Sequence, residues 1–307
     1  MSPAHFRHLG LAYGHGIVGN LRARPWLIFA VPLFLWRLRR AALESDADLV
    51  HAHWLAAGAV AATIGKPFVV QVWGTDVELA KRAPWLARWI LRRARLVVGA
   101  SAYLAGEARA LGAREVRVVP ASVAIPERVG EPDDPPHVLY VGRLSPEKGI
   151  GDFLRATEGF PRVIVGAGPV DVPESVGAVA PSALGPYYQR AAVVCVPSRR
   201  EGYGMVAREA MAYGRPVVAT RAGGLVDAID DGVNGLLVGG QGLRGAIERL
   251  LADPELRARL GAAASEKARR EWSRDAEAAS LLGVYSDVRG ATAQAERLKG
   301  RGSRSSR

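Results

Sequence analysis

The stretch of this chain that leaves the folding problem fewest solutions is residues 192–238, AVVCVPSRREGYGMVAREAMAYGRPVVATRAGGLVDAIDDGVNGLLV. Its first apolar run, residues 193–197, has the length and β-branched content of a buried strand. A polar loop at 198–204 carries Glu201, Gly202 and Gly204. Residues 205–213 then read as a helix, ended by Gly214 with Pro216 two positions on. Residues 216–220 make a second strand, and Gly223 and Gly224 open another loop. Strand, loop, helix, strand is a βαβ unit. Parallel strands of this kind bind ligands on the loops that leave their carboxyl ends.

Two carboxylates in the unit need an explanation. Glu201 lies in the loop, and Glu209 falls one to two turns into the helix among Ala207, Ala210, Met211 and Ala212. At a rise of about 1.5 Å per residue, the two can flank one small ligand at the helix amino end. The plainer reading is that Glu201 complements the helix dipole and Glu209 is solvated.

The run PSRREGYGMVAREAMAYGRPVVAT with the following GG resembles the signature of the retaining GT-B glycosyltransferases of family 4, two glutamates separated by seven residues. The likeness continues through DDGVNGLLV. It implies an α/β fold of GT-B type, in which two Rossmann-like, doubly wound domains face each other across a cleft.

Apolar content of 49% over 307 residues is enough for two cores. The single cysteine, Cys195, lies inside the first apolar run, which rules out a disulfide framework and suits the cytosol. Net charge is +11, unevenly spread. Residues 1–136 hold 17 basic and 11 acidic side chains, residues 137–288 hold 18 of each, and residues 289–307 hold 6 and 1. The excess therefore lies on the first half and the tail, where an anionic partner is expected. Nucleic acid is not the expected partner, since aromatic residues are not interleaved with the tail's charges.

The first part of the chain shows no secretory signal at Met1. Its apolar run, PWLIFAVPLFLW at 25–36, is broken by Pro32 and too short to span a bilayer. Arg22, Arg24, Arg37, Arg39 and Arg40 flank it. A packed helix and an interfacial segment at lipid headgroup level both fit. Strands at 49–53, 68–73, 96–101 and 116–120 alternate with helical stretches at 56–64, 84–94 and 102–111, which means a second parallel sheet. The segment LVHAHW…GKPFVVQVWGTDV again resembles family 4. Many members hold a histidine, thought to contact the donor sugar, where Trp73 stands here, so Asp76 becomes the remaining polar candidate of that loop. His51 and His53 point to one face of their strand and read as structural. The family's opening strand and glycine-rich loop are not found, so the first domain is expected to be shortened at its amino end. A sheet without its first strands would leave an apolar edge.

The expected organisation is a truncated amino-terminal domain at 1–125, a linker at 126–136, a donor domain at 137–270, a closing helix at 271–288 and a disordered basic tail at 289–307. The linker rests on four prolines in residues 125–137. The donor domain opens with VLYVGRLSPEKGIGDFLRAT, a strand and a loop bearing Arg143 and Lys148 before a helix amino end. Two cations there suit a phosphate or diphosphate. VGRLSPEKG also resembles the family motif whose arginine and lysine hold a nucleotide diphosphate. The glycine turn GAGP at 166–169 is weak by itself, and Asp46 and Asp48 merely precede a strand.

The resemblance implies sugar transfer from a nucleotide-diphosphate sugar to an acceptor hydroxyl with retention of configuration, without metal or other cofactor. Arg143, Lys148 and Glu201 are the expected catalytic residues, the first two stabilising the leaving diphosphate and Glu201 accepting from donor-sugar hydroxyls. Glu209 would accept from the ribose. Backbone N–H groups at Gly202, Tyr203, Gly204 and Met205, together with Asp76, complete the donor site. The charge distribution and the arginine–tryptophan segments point to a cytoplasmic protein held peripherally on an anionic membrane face. A lipid-linked or envelope glycan is then the expected acceptor. Two alternatives share the architecture: a non-catalytic fragment that binds nucleotide sugar, and a GT-B nucleotide-sugar epimerase.

Overall fold

The computed structural model describes residues 24–302. Arg22 and the last five residues of the basic tail lie outside the described residues. The chain forms two parallel sheets, each sandwiched between apolar layers.

A 3-10 turn at Pro25–Ala30 leads into α1 (Val31–Glu44). The first sheet then assembles from β1 (Val50–His53), β2 (Phe68–Val72), β3 (Leu96–Gly99) and β4 (Val116–Val118), in the order 1-2-3-4. Between these strands run α2 (Leu55–Ala61), α3 (Thr75–Ala80), α4 (Pro84–Arg93) and α5 (Ala102–Ala110). Because strand side chains alternate, each strand feeds two cores. Phe68, Val70 and Val72 of β2 meet Leu55, Ile90 and Leu104 of the helices, whereas Val69 turns to the opposite face with Leu96 and Val98.

The interior of that first domain does not extend to α1, none of whose residues is buried. Trp26, Phe29 and Trp36 are 63%, 84% and 54% exposed. The run lies outside the core, and α1 sits at the surface on a half-buried face, with Arg39 donating to Thr63 and Lys66 to the Ala42 carbonyl.

The second sheet holds β5 (Val138–Val141), β6 (Arg162–Val165), β7 (Val193–Val196), β8 (Val217–Thr220) and β9 (Gly235–Val238), in the order 6-5-7-8-9. Its helices are α6 (Ile150–Ala156), α7 (Gly185–Arg190), α8 (Met205–Ala212), α9 (Leu225–Ala228), α10 (Leu243–Ala252) and α11 (Pro254–Glu271). β7 is buried over its whole length. Val194 and Val196 pack under α8, and Val193 and Cys195 pack against α6 and α10. From β5 the chain goes first to one neighbour, β6, and then to the other, β7. That reversal is the switch point at which an open α/β sheet leaves a crevice above its strand ends.

Trp272, 1% exposed, ends α11, and α12 (Arg274–Gly302) crosses back to the first sheet. There Val284 and Val288 cover Val69, Leu96, Val98 and Val119. The helix passes Arg289, so residues 289–302 are helical where their charge had suggested a disordered tail. Ala291, Ala293, Gln294, Ala295, Glu296 and Leu298 are good helix formers, and that propensity outweighs the missing apolar stripe.

Val284 is fully buried in this contact. Val284→Ala removes two carbons at about 0.8 kcal/mol each, so a loss of about 1.6 kcal/mol is expected in urea unfolding. A loss under about 0.5 kcal/mol, the range of ordinary surface substitutions, would show that α12 does not hold the first sheet.

Candidate active site

The site is built where the loops after β5 and β7 meet. Beyond β5, Ser145 starts a turn at Pro146–Lys148, its hydroxyl accepting from the Lys148 N–H. Gly149 follows with φ +71°, and a Cβ there would sit 2.0 Å from the Pro197 carbonyl oxygen. Only glycine allows both the conformation and the approach. The β5 loop is thereby pressed on the end of β7, and Lys148 Nζ reaches Glu201 Oε2 at 2.7 Å. Ser198 Oγ donates to the same oxygen at 3.4 Å.

These groups line a cavity at the switch point, with Tyr140, Val141 and Gly142 from the β5 end and Cys195 and Val196 from the β7 end. Lys148 and Glu201, 53 residues apart, are thus brought into one pocket. Cys195 is fully buried below it, and burial pushes its thiol far above the usual range, so it packs and does not react.

Arg143 stays on the rim, 57% exposed, 3.7 Å from Glu147. Its carbonyl accepts from the Tyr140 hydroxyl at 3.0 Å, which fixes the backbone and leaves the guanidinium free to swing. Glu147 also faces Arg200, which reaches Glu78 of the first domain at 3.7 Å. Exposed pairs of this kind contribute little stability.

Glu209 is half-buried on α8, and its Oε2 accepts from the Tyr188 hydroxyl at 2.7 Å. Burial raises the Glu209 carboxyl above its ordinary range, and the tyrosine bond draws it only partly back. Met205 opens the helix, 41% exposed. The first intrahelical bond near it runs from Arg208 to Gly204, so the preceding N–H groups carry the helix's positive end.

Asp76, expected to face a ligand, does structural work instead, and so do the Tyr203 side chain and the Gly202 carbonyl, whose residues were expected to offer backbone N–H groups. Tyr203 is 4% exposed and packs in the core of the first domain, where its hydroxyl donates to the Ala121 carbonyl. The Gly202 carbonyl accepts from Ser101 Oγ at 2.7 Å, which ties the loop to the first domain. Asp76 is 5% exposed, with both oxygens committed: Oδ1 accepts from the N–H groups of Trp73 and Gly74, and Oδ2 from Leu55. It braces the β1 and β2 loops. Gly204, with φ +86°, supplies the turn into α8.

Sequence reasoning passed over Tyr188 and Arg208. Arg208 is 2% exposed, its guanidinium 3.8 Å from the Tyr203 ring centre and 4.9 Å from that of Trp272. It donates to the carbonyls of Tyr203 and Gly224, holding both glycine loops. A lone arginine amid Val206, Ala207, Ala210 and Met211 was the available signal. Tyr188 had none, because its contact with Glu209 spans 21 residues and two helices. His51 and His53 stack at 4.5 Å, and burial lowers His51 to about 4 while its Nδ1 meets the Tyr285 hydroxyl at 2.7 Å. Among the described residues no three metal-ligating side chains converge.

Comparison with known proteins adds to this geometry. The profile described as Glycosyl transferases group 1 matches residues 135–253, and that of the Glycosyl transferase 4-like domain matches residues 2–123. A D-inositol 3-phosphate glycosyltransferase of Acidothermus cellulolyticus is 33% identical over 84% of this chain and 72% of its own length. An alpha-D-kanosaminyltransferase of Streptomyces kanamyceticus is 32% identical, but over 51% of this chain and 47% of its own. Two solved structures share the fold. Sucrose-phosphate synthase from Thermosynechococcus elongatus superposes with a TM-score of 0.74 at 24% identity, covering 87% of this chain and 80% of that one. Anabaena HepE in complex with UDP gives 0.72 at 21% identity, covering 82% of each.

The raised Glu209 carboxyl has a stability consequence that needs no ligand. Between its unfolded and folded pKa the native state binds more protons, so stability falls as pH rises through that window and stays lower above it. Glu209→Gln is expected to raise the thermal midpoint at pH 7 and to give no gain near pH 3 or below, where both states are protonated. A midpoint lowered at pH 7 would refute the strained carboxylate.

Proposed function

The chain belongs to the glycosyl transferases group 1 family, glycosyltransferase family 4, and on that premise we propose that it moves a sugar from a nucleotide-diphosphate sugar to an acceptor hydroxyl with retention at the anomeric carbon. The observation that carries the reading is the Lys148–Glu201 pair in the cavity at the switch point of the second sheet. A diphosphate laid there meets Lys148, the positive end of α8 and, after a swing of its side chain, Arg143. All three act where charge develops as the bond from the anomeric carbon to the diphosphate oxygen breaks. Glu201, released from Lys148, accepts from donor-sugar hydroxyls, and the unbonded oxygen side of Glu209 accepts from the ribose. The acceptor oxygen attacks on the face the diphosphate leaves, and its proton passes to the departing phosphate oxygen. One carbon–oxygen bond breaks and one forms on the same side.

Two features favour transfer over the other readings. A fragment that only binds would not need the first domain at the cavity, yet Ser101 and Ala121 of that domain hold the loop bearing Glu201. Glu201 and Glu209, separated by seven residues, match the transferase signature, which weighs against an epimerase.

The acceptor side is proposed to work at a membrane. Trp26, Phe29 and Trp36 are solvent-exposed beside Arg37 and Arg40, a composition suited to anionic headgroups. No helix among the described residues is long and apolar enough to cross a bilayer, so attachment would be peripheral, from the cytoplasmic side. A lipid-linked or envelope glycan is the acceptor this placement implies.

Lys148→Ala is expected to weaken UDP binding by about 1.5–3 kcal/mol, roughly ten- to a hundredfold, in calorimetric titration. Unchanged affinity in a folded variant would refute the assignment. Sedimentation with anionic and neutral vesicles tests the membrane. Salt-sensitive binding to anionic vesicles is expected, at about 1 kcal/mol per basic residue engaged, and no binding at low salt would remove the membrane from the proposal.

A further inference from the structure

The face of α8 that borders the donor cavity continues beyond it. Val206 lines the cavity, and Glu209 follows three residues on, its neighbour on that face of the helix. Tyr213, four residues further, ends the stripe. Tyr188 of α7 meets both: it is 1% exposed, and its ring stacks on Tyr213 at 5.5 Å with 26° between planes. The two helices approach closely, since a Cβ on Gly185 would come 2.6 Å from the Tyr213 hydroxyl. The Tyr188 ring is thus held, with its hydroxyl 2.7 Å from Glu209 Oε2.

A glutamate carboxylate turns easily about its last bond, whose preference is broad and two-fold. The tyrosine removes that freedom. With Oε2 accepting from Tyr188, the other oxygen is the one left to meet a ligand. Burial and the charge of Glu209 keep the Tyr188 proton far above the ordinary range, so the hydroxyl stays a donor. Among the described residues no cation shares the task. Of the elements packed on α8, α11 commits Lys267 to Asp230, and α9 commits Asp227 to the Tyr103 N–H. β7 and β8 bring no charged side chain. Arg208 of α8 itself turns to Tyr203 and Trp272, and Arg190 of α7 pairs with Asp133.

An ionised carboxylate only accepts, whereas a protonated one has a donor of its own to place. The vicinal hydroxyls of a ribose are two donors side by side, and a fixed, ionised oxygen suits them. We propose that Tyr188 is a positioning residue for the donor: it turns one oxygen of Glu209 to the ribose and so sets a preference for nucleotides that carry ribose hydroxyls. The inference rests on the transfer reading above and deepens its donor side.

Tyr188→Phe keeps the ring on Tyr213 and removes the hydroxyl alone. Burial raises the Glu209 carboxyl and the tyrosine bond draws it partly back, so without that bond the carboxyl keeps its proton to higher pH. The full chain and its variants are titrated calorimetrically with UDP and with 2′,3′-dideoxy-UDP from pH 5 to pH 9. The ratio of the two affinities cancels the titration of the phosphates. In the unaltered chain UDP is expected to bind about tenfold or more tightly than its dideoxy analogue once Glu209 is ionised. In Tyr188→Phe that preference is expected to shrink at neutral pH and to return at higher pH, with dideoxy-UDP affinity unchanged. In Glu209→Gln the ratio is expected to lose its pH dependence, and adding Tyr188→Phe is expected to leave it there. A Tyr188→Phe chain that keeps the ratio and its pH profile would overturn the inference. So would one that loses affinity for both nucleotides equally, since the tyrosine would then be structural. An unaltered chain that binds neither nucleotide sinks the transfer reading and this inference with it. One that binds both alike keeps that reading and sinks this inference alone.

Discussion

The geometry of the cleft depends on how tightly the loop after β7 is held from both sides. From the first domain, Ser101 donates to the Gly202 carbonyl and the Tyr203 ring fills a place in a core that is not its own. From the second, Gly223 turns with φ +48°, where a Cβ would lie 1.9 Å from the Glu201 carbonyl oxygen, and the Gly224 N–H donates to that oxygen at 2.9 Å. Arg208 fastens the two loops from beneath through their carbonyls. Its buried charge is costly, and it is offset by two aromatic faces, two carbonyl acceptors and the negative charges of Asp227, Glu201 and Glu271. A single peptide segment therefore carries the glutamate of the donor cavity and the plug that unites the domains.

The same segment shows what could be read from the sequence and what could not. The βαβ unit, its glycine stops and both sheets followed from short β-branched runs alternating with helical ones, because buried parallel strands leave that pattern. That Lys148 and Glu201 share one end of the sheet was legible because each sits on a loop leaving a strand's carboxyl end, but their ion pair was not. The structural roles of the Tyr203 side chain and of Asp76 were not legible, for a common reason. A polar residue on a loop near a cleft has the same appearance whether it faces a ligand or satisfies backbone across a junction, and only the partners distinguish the two. For Asp76 those partners are three N–H groups from two loops. For Tyr203 the partner is Ala121, 82 residues away. The helical stretch at 289–302 was missed because net charge weighed more in the reading than local propensity.

Burial of Glu209 and of the loop beneath it fits a division of labour between the two glutamates. Glu201 keeps a cation within 2.7 Å, so its charge is compensated before any ligand arrives. Among the described residues Glu209 has the Tyr188 hydroxyl as its hydrogen-bond donor and stays strained, ready to gain from a second donor. A site that stores one compensated and one under-compensated carboxylate responds differently to the two ends of a nucleotide sugar.

That difference bears on selectivity in the proposed reaction. A nucleoside diphosphate alone draws Lys148 toward its phosphates and leaves Glu201 with Ser198 as its remaining partner. A half-buried carboxylate stripped of its cation loses a charge-assisted bond, which on general grounds costs about 1.5–3 kcal/mol. A complete nucleotide sugar replaces that bond with hydroxyl donors from the sugar, so the exchange at Lys148 becomes nearly neutral. In the proposed reaction the pair would thus oppose occupation by the leaving diphosphate after transfer and favour its exit. Glu201→Gln, which removes the negative partner from Lys148, is accordingly expected to bind UDP more tightly while losing sugar transfer. Calorimetric titration beside a turnover assay reads both quantities, and weaker UDP binding in that variant would show that Glu201 supports the diphosphate rather than competing for its lysine.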